Sequence, residues 1–411
     1  MIYFIIVILL LVFTYFYDYK REKRGIQISF YLTLFLFISV AGLRYKVGGD
    51  TSIYMDFFDD VHTLNNLKES DFVRSRFAPG FVFLTSLIKT ICNDYVFFQL
   101  VHAIIVNGVI FFFVKKHCRN FFFAIFIFFN FLYFYLLFEQ VRESFAVTIF
   151  LLAWPSFKKG IWWQWYFASV LAFLFHISAF IMFFLPLINL PGLKWFFTYG
   201  KKTIYICFGV LILAFVIQTT LFRYIEMVAV TESMLDRAQA YGDLNSIETF
   251  NLNKIIGSII QYIAYPLLSL YCLWDARKQR NYDNNNVMNN ELVAESKMVL
   301  LSIYISLFSI FVGIFVRYNN YFFLFSIIVM ADWAFSKIHI ARKYIRLGYI
   351  YWILFFIPML GFNFYMTHLV SINKTGTLKG YMMYYPYYSV LEQKEDQNRE
   401  KTITYIRRSL K

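Results

Sequence analysis

The chain reads as an all-α, polytopic integral membrane protein. Three observations predict this fold class. Of 411 residues, 60% are hydrophobic and 16% charged, and the mean hydropathy is +0.56, far from the composition of a soluble domain. Apolar runs long enough to cross about 30 Å of hydrocarbon recur along the whole length. Phe (52) and Tyr (32) are abundant while Gly (17) and Pro (7) are modest, which suits lipid-facing helices with aromatic rings at the interfaces; the alternation of a membrane barrel is absent.

The first run, 2–17, lacks a basic leader and a small-residue cleavage site, so it is expected to be an uncleaved span. Further runs lie at 26–43, 95–114, 121–138, 141–157, 203–221, 254–274, 297–316, 318–335 and 348–366. The run 161–190 is too long for one untilted helix and is divided into two short spans that turn at His176. Segment 78–92 is short, contains Lys89, and would invert every later loop if it crossed; it is expected to be an outer-face or re-entrant helix. The expected total is twelve spans with both termini outside.

Orientation follows from basic loops. Lys20, Arg21, Lys23 and Arg24 lie in 18–25, Lys115, Lys116 and Arg119 in 115–119, with similar groups in 277–280 and 337–346. These loops are expected on the cytoplasmic side. The net charge of +14 is explained by orientation rather than by a nucleic-acid partner, because the basic residues are scattered among short loops. Cys92, Cys118, Cys207 and Cys272 show no pairing or metal-like spacing and are expected to be reduced and buried. No repeat or soluble domain is visible, so 1–411 is expected to be one membrane domain. Its outer-face loops are 44–94 and 222–253, its cytoplasmic loop is 275–296 and its tail is 367–411.

This topology gathers the unusual polar residues on the outer face. Arg142 opens an apolar helix in Glu139-Gln140-Val141-Arg142-Glu143, and a guanidinium at that depth needs a partner. The partner is either a neighbouring glutamate or an anionic ligand, whose phosphate or carboxylate matches the guanidinium fork. Arg317, in the polar stretch Arg317-Tyr318-Asn319-Asn320 between apolar runs, repeats the pattern. Arg44 at the end of a span and Arg237 beside Asp236 are weaker candidates. His176 is either a hydrogen-bonded structural group or a base for a hydroxyl nucleophile. Asp50, after Gly48-Gly49, is either a turn residue or a rival base. No metal motif, P-loop, dinucleotide fingerprint or nucleophile elbow is present, so neither metal nor cofactor is expected.

At these residues the chain resembles the EpsG-like branch of the Wzy-type polysaccharide polymerases. The resemblance rests on Gly42-Leu43-Arg44-Tyr45-Lys46-Val47-Gly48-Gly49-Asp50 with Tyr54, on Val141-Arg142-Glu143-Ser144-Phe145-Ala146, on Phe175-His176-Ile177-Ser178-Ala179, on Arg317-Tyr318 and on Tyr385-Pro386-Tyr387. Order and spacing carry it. Gly49 stands where a small hydroxyl residue is commoner, and Glu143 where glutamine is commoner; 76–80 lacks the glutamate often seen before the glycine.

The resemblance implies a GT-C-like glycosyltransferase in the bacterial cytoplasmic membrane. Its substrates would be undecaprenyl-diphosphate-linked oligosaccharides joined at the outer face without metal or nucleotide, for capsule, O-antigen or exopolysaccharide. Arg142 and Arg317 would hold the diphosphate with Arg44 and Arg237 in support, His176 or Asp50 would serve the acceptor hydroxyl, and Tyr54, Tyr318 and Tyr387 would stack on sugars. Partners would be the bilayer, the pathway's flippase and a chain-length regulator. The competing classes are a transporter or flippase of lipid-linked oligosaccharides and a membrane acyltransferase.

Overall fold

A computed structural model describes residues 2–73, 77–197, 201–228, 265–280, 289–340 and 377–409. Among them every named element is helical, and an isolated antiparallel bridge joins Arg44 and Ser389. The chain divides into two compact units, Met1–Pro186 with Met383–Gln397, and Leu187–Met382 with Asn398–Lys411.

In the first unit, α1 (Ile2–Phe13) runs on through π-helical Thr14–Tyr19 and packs on α7 (Phe121–Phe128). Helix α2 (Ile26–Gly42) packs along α6 (Tyr95–His117), which in turn supports α8 (Val141–Lys159), and α9 (Trp162–Phe173) returns along α8. The reversal after α8 occurs at Gly160, whose φ of 70° is the left-handed conformation that ends helices at little cost to glycine. Asp94 starts α6 by accepting the Val96 N–H at 2.8 Å.

The interior is aromatic: Trp154, Trp165, Tyr133, Phe37 and Phe111 are all fully buried. Phe37 meets Tyr133 edge-on at 4.8 Å and Phe111 at 5.0 Å, the geometry ring quadrupoles favour. The exterior is apolar too, with Ile28 75% and Trp163 72% exposed. A water-soluble protein does not present such rows of large apolar side chains, so these helices face lipid. Lipid favours internal pairing of polar groups: the Gln99 amide N–H donates to the carbonyls of Gly42 and Arg44, both at 2.9 Å, closing the end of α2.

The two ends of α2 differ in chemistry. At its start, Arg21 donates to the Arg119 carbonyl and to Asn120 Oδ1, and Asp18 accepts the Phe123 N–H, so the basic loops expected on one side meet there. At its other end, about 25 Å away at 1.5 Å per residue, lie Arg44 and the glycine pair. The segment that follows folds as α3 (Thr51–Asp60), α4 (Glu69–Val73) and α5 (Pro79–Ile91). Tyr54, Phe58, Phe81 and Phe98 build a small core with Val141 and Phe145 of α8. Lys89, which argued against a span, donates to the carbonyls of Phe58, Asp59 and Val61 and closes the C-terminal end of α3.

Among the described residues two helices, Ile2–Tyr19 and Tyr95–His117, are long and apolar enough by themselves to cross a membrane, or up to three if the bent pair Ile177–Asn189 and Pro191–Phe197 is one span. Other apolar helices among the described residues, such as Ile26–Gly42, fall just short of that length. The expected span at 348–366 and most of the loop 222–253 lie outside the described residues.

In the second unit, helix Asn289–Ser309 packs against Val316–Ile340, Tyr265–Arg280 packs on both, and Lys201–Val228 packs on Asn289–Ser309. One expectation is corrected here. The helix break falls at 310–315, so Arg317-Tyr318-Asn319-Asn320 is the first turn of Val316–Ile340 and not the break itself. The physical reason is Asn319: its side chain accepts from Ser302 Oγ at 2.7 Å and donates to Ser306 Oγ at 2.9 Å, tying that turn to the preceding helix.

Candidate functional site

The site of the first unit is built on the junction between the 121–139 helix and α8. After α7 the helix widens into two π-helical stretches, Phe129–Tyr133 and Tyr135–Glu139, and Gln140 at φ −106° and ψ 53° breaks it before α8 begins. Such widened turns spread successive side chains and recur at functional positions. Glu139 and Arg142 therefore flank a break and do not sit on one continuous helix. Of the two alternatives, the local pair does not form: Arg142 joins neither Glu139 nor Glu143, and its guanidinium lies 4.7 Å from the Phe77 ring centroid.

Arg142 is held from α3. Tyr54 receives side-chain and backbone hydrogen bonds from Arg142, and the Tyr54 hydroxyl lies 3.4 Å from the Glu139 carbonyl. The Tyr54 phenol is pushed above its ordinary value, first by burial, with Arg142 opposing, so it stays neutral. At 3% exposed and packed on Phe77 and Phe81, Tyr54 is a strut and not an open sugar platform, which corrects the stacking role expected of it. One donor of Arg142 is unspent: Nε is buried with no hydrogen-bond partner.

The glycine turn sits on the same junction. Gly48, at φ 110°, donates to the Met383 carbonyl at 3.0 Å, and Thr51 Oγ1 donates to the Val47 carbonyl at 2.7 Å. The Gly49 N–H donates to Glu139 Oε1 at 2.7 Å. A Cβ at Gly49 would lie 2.7 Å from Glu139 Oε2, inside contact distance, which explains the glycine where a small hydroxyl residue is commoner. Asp50 follows at the start of α3, half-buried, with no side-chain cap on the helix, and its charge acts on Glu139. Gly49→Ala is expected to fold, because only the end of the Glu139 side chain must move, but to slow the protein's reaction about tenfold by displacing that carboxylate; an activity equal to wild type at equal expression would refute this coupling.

Arg44 is 2% exposed. Its Nε donates to the Val47 carbonyl at 3.1 Å, Nη1 donates to the Ala41 carbonyl, and the guanidinium lies 4.5 Å from the Phe138 ring. Burial lowers its pKa, and Tyr387 and Glu139 are among the groups that oppose the shift. Nε and Nη1 anchor the turn, and Nη2 is buried without a hydrogen-bond partner. The tail closes the end: Tyr45 N–H donates to the Tyr388 carbonyl, Val390 N–H to the Leu43 carbonyl, and Lys46 pairs with Glu395. The Tyr387 hydroxyl donates to the Val40 carbonyl at 3.2 Å.

The chain turns at His176 as the sequence suggests. Its Nδ1 accepts the Ser178 N–H at 3.2 Å and lies 2.6 Å from Ser178 Oγ, so the imidazole, 4% exposed, caps the short helix that follows. With Nδ1 accepting, the neutral ring carries its proton on Nε2. The turn is pinned to the site: Gly80 N–H donates to the Leu174 carbonyl at 2.8 Å, and Phe175 lies 5.5 Å from Phe145, one helical turn beyond Arg142. Arg44, Asp50, Tyr54, Arg142, His176 and Tyr387 thus belong to one unit. Arg317 and Tyr318 belong to the other, both half-buried, with Tyr318 against Phe315 at 5.3 Å. Arg237 lies outside the described residues.

Sequence reasoning missed Glu139 as a site residue in its own right, placing it only as a neighbour of Arg142. Its carboxyl is half-buried and raised to about 7, first by burial and then by Asp50, against hydrogen bonds from Gly49 and Tyr384 and the charge of Arg44. Nothing in its local sequence signals a partner 90 residues earlier.

Lipid-facing helices that pack around a half-buried arginine, aromatic rings and two half-buried carboxylates define an integral membrane protein. The chain belongs to the EpsG family, whose model matches residues 27–389, nearly the whole length. EpsG-like proteins are Wzy-type polymerases. No curated protein and no solved structure matches the chain.

Proposed function

We propose that this protein is a polysaccharide polymerase that transfers a growing glycan from undecaprenyl diphosphate onto the terminal hydroxyl of another lipid-linked repeat unit. The reaction takes place at the outer face of the cytoplasmic membrane, in a GT-C-like bundle of about twelve spans. The observation that carries this reading is Arg142: a guanidinium seated on Phe77, held by Tyr54, unpaired with the glutamates on either side, and with a buried Nε donor unspent. A diphosphate oxygen completes it. The guanidinium would stabilise the charge that develops as the diphosphate leaves, a task a metal performs elsewhere.

Arg317, with Arg237, supplies further positive charge to the diphosphate, and Arg44 shapes the turn beside it. Tyr318 and Tyr387 border the sugars. The donor's phosphate ester provides the driving force, so the reaction consumes no nucleotide and needs no metal. The product is capsule, O-antigen or exopolysaccharide; the pathway's flippase supplies the substrate and a chain-length regulator sets its extent.

The test is direct. Purified protein in detergent is incubated with lipid-linked repeat units and no nucleotide, and the glycan is sized by electrophoresis. A ladder of multiples of the repeat supports the polymerase. Unchanged glycan length from protein that moves the same lipid across vesicles would establish the flippase instead.

A further inference from the structure

We propose that Glu139 is the catalytic residue that takes the proton from the acceptor hydroxyl, with Asp50 and Gly49 as positioning residues. This rests on the polymerase reading above and assigns a step within it. Three features of geometry carry it. Glu139 is half-buried at the break between the π-helical stretch and α8. It is fixed on two sides, by the Gly49 N–H at 2.7 Å and by Tyr384, so its orientation is set before substrate arrives. The residue's backbone is tied to the arginine proposed for the diphosphate through Tyr54, whose hydroxyl meets both the Glu139 main-chain carbonyl and Arg142.

A second, independent observation points to a ligand here. Arg44 is 2% exposed beside this carboxyl, and its Nη2 has no hydrogen-bond partner. Arg142 Nε is likewise unspent on the other side of Tyr54. A buried guanidinium keeps donors unpaired only at a free-energy cost, which a polar substrate removes on binding.

The earlier candidates fit the role less well. His176 gives Nδ1 to its own cap, and Asp50 raises the proton affinity of Glu139 by its charge. The groups facing Glu139 are Asp50 and Arg44 from the turn and its approach, Tyr54 from α3, Tyr384 from the tail and Arg142 beyond Tyr54. At a value of about 7 the carboxyl is half ionised at neutral pH, strong enough as a base to accept a proton and still charged often enough to act.

The acceptor O–H gives its proton to a Glu139 oxygen, and the acceptor oxygen bonds to the anomeric carbon of the donor glycan. The bond from that carbon to the diphosphate oxygen breaks, and its electron pair leaves on polyprenyl diphosphate, beside Arg142. Glu139 then releases its proton to water.

The experiment measures initial polymerisation rates of purified wild type, Glu139→Gln and Asp50→Asn on lipid-linked repeat units from about pH 5.5 to about pH 8.5. Wild type is expected to lose rate below about pH 7, tenfold per unit, as Glu139 takes up its proton. Glu139→Gln is expected to be about 100-fold slower and to lose that acid limb. Asp50→Asn removes a negative neighbour, lowers the Glu139 value and is expected to move the limb to lower pH, a shift that a purely structural role would not produce. Wild-type rate and limb in Glu139→Gln, or an unmoved limb in Asp50→Asn, would overturn the assignment. If Glu139→Gln does not insert, the Asp50→Asn limb decides. Absence of polymer from wild type itself would instead sink the polymerase reading, so the two failures are distinct.

Discussion

Arg142→Lys is expected to abolish long-chain glycan while leaving the protein inserted and folded. Lysine keeps the charge and most of the stem that packs on Phe77, but it loses the planar fork and the Nε donor that has no partner in the free protein. Loss of one preorganised donor to a developing oxyanion typically costs about 100- to 1,000-fold in rate. Cells carrying the variant should accumulate single repeat units, visible by electrophoresis of extracted glycan, at wild-type protein abundance. Normal chain length at normal abundance would remove Arg142 from the reaction. Arg142→Ala is the less informative change, because it also empties the space against Phe77 and unties Tyr54.

Arg44→Met is expected to fail in the opposite order, losing stability before chemistry. The substitution leaves the Ala41 carbonyl without its Arg44 donor at a buried helix end, takes one of two donors from the Val47 carbonyl, which keeps Thr51 Oγ1, and removes the guanidinium from the Phe138 ring. Each unsatisfied buried acceptor costs about 1–3 kcal/mol. The sum is a loss of about 3 kcal/mol, read as a fall of several degrees in the apparent melting temperature in detergent. A melting temperature within one degree of wild type would show that Arg44 does not anchor the turn. The two arginines are thus separable: Arg142→Lys loses activity at constant stability, and Arg44→Met loses stability first.

The structural reason for this contrast was not legible in the sequence. Both arginines open or close an apolar helix, and local pattern ranks Arg44 only as the weaker ligand candidate at a span end. What separates them is where their donors go. Arg44 spends Nε and Nη1 on the last carbonyls of α2 and the glycine turn, while Arg142 lies across a helix break from Glu139 and rests on a ring from the 77–91 segment. Sequence proximity suggested an Arg142–glutamate pair because residues three apart on a helix share a face. The π-helical stretch and the break at Gln140 remove that shared face. The break at 310–315, placed a few residues late, misled for the same reason: apolar content is nearly continuous there, and side-chain bonds of Asn319 decide where the helix restarts.

The sequence by itself determined the class of protein, because a chain of 60% hydrophobic residues with apolar runs of span length has no other stable solution than helices in lipid. It also determined that His176 turns a run too long for one helix, and that the basic loops at 18–25 and 115–119 share an end. Only the tertiary structure brought the Glu139 carboxyl to the glycine turn. Its partners, the Gly49 N–H and Tyr384, lie 90 residues before it and hundreds after it, and no local periodicity encodes contacts between segments that distant. Packing alone brings the glycine turn, the tail and the broken helix together around one half-buried carboxyl, and the low polarity of that place sets its proton affinity.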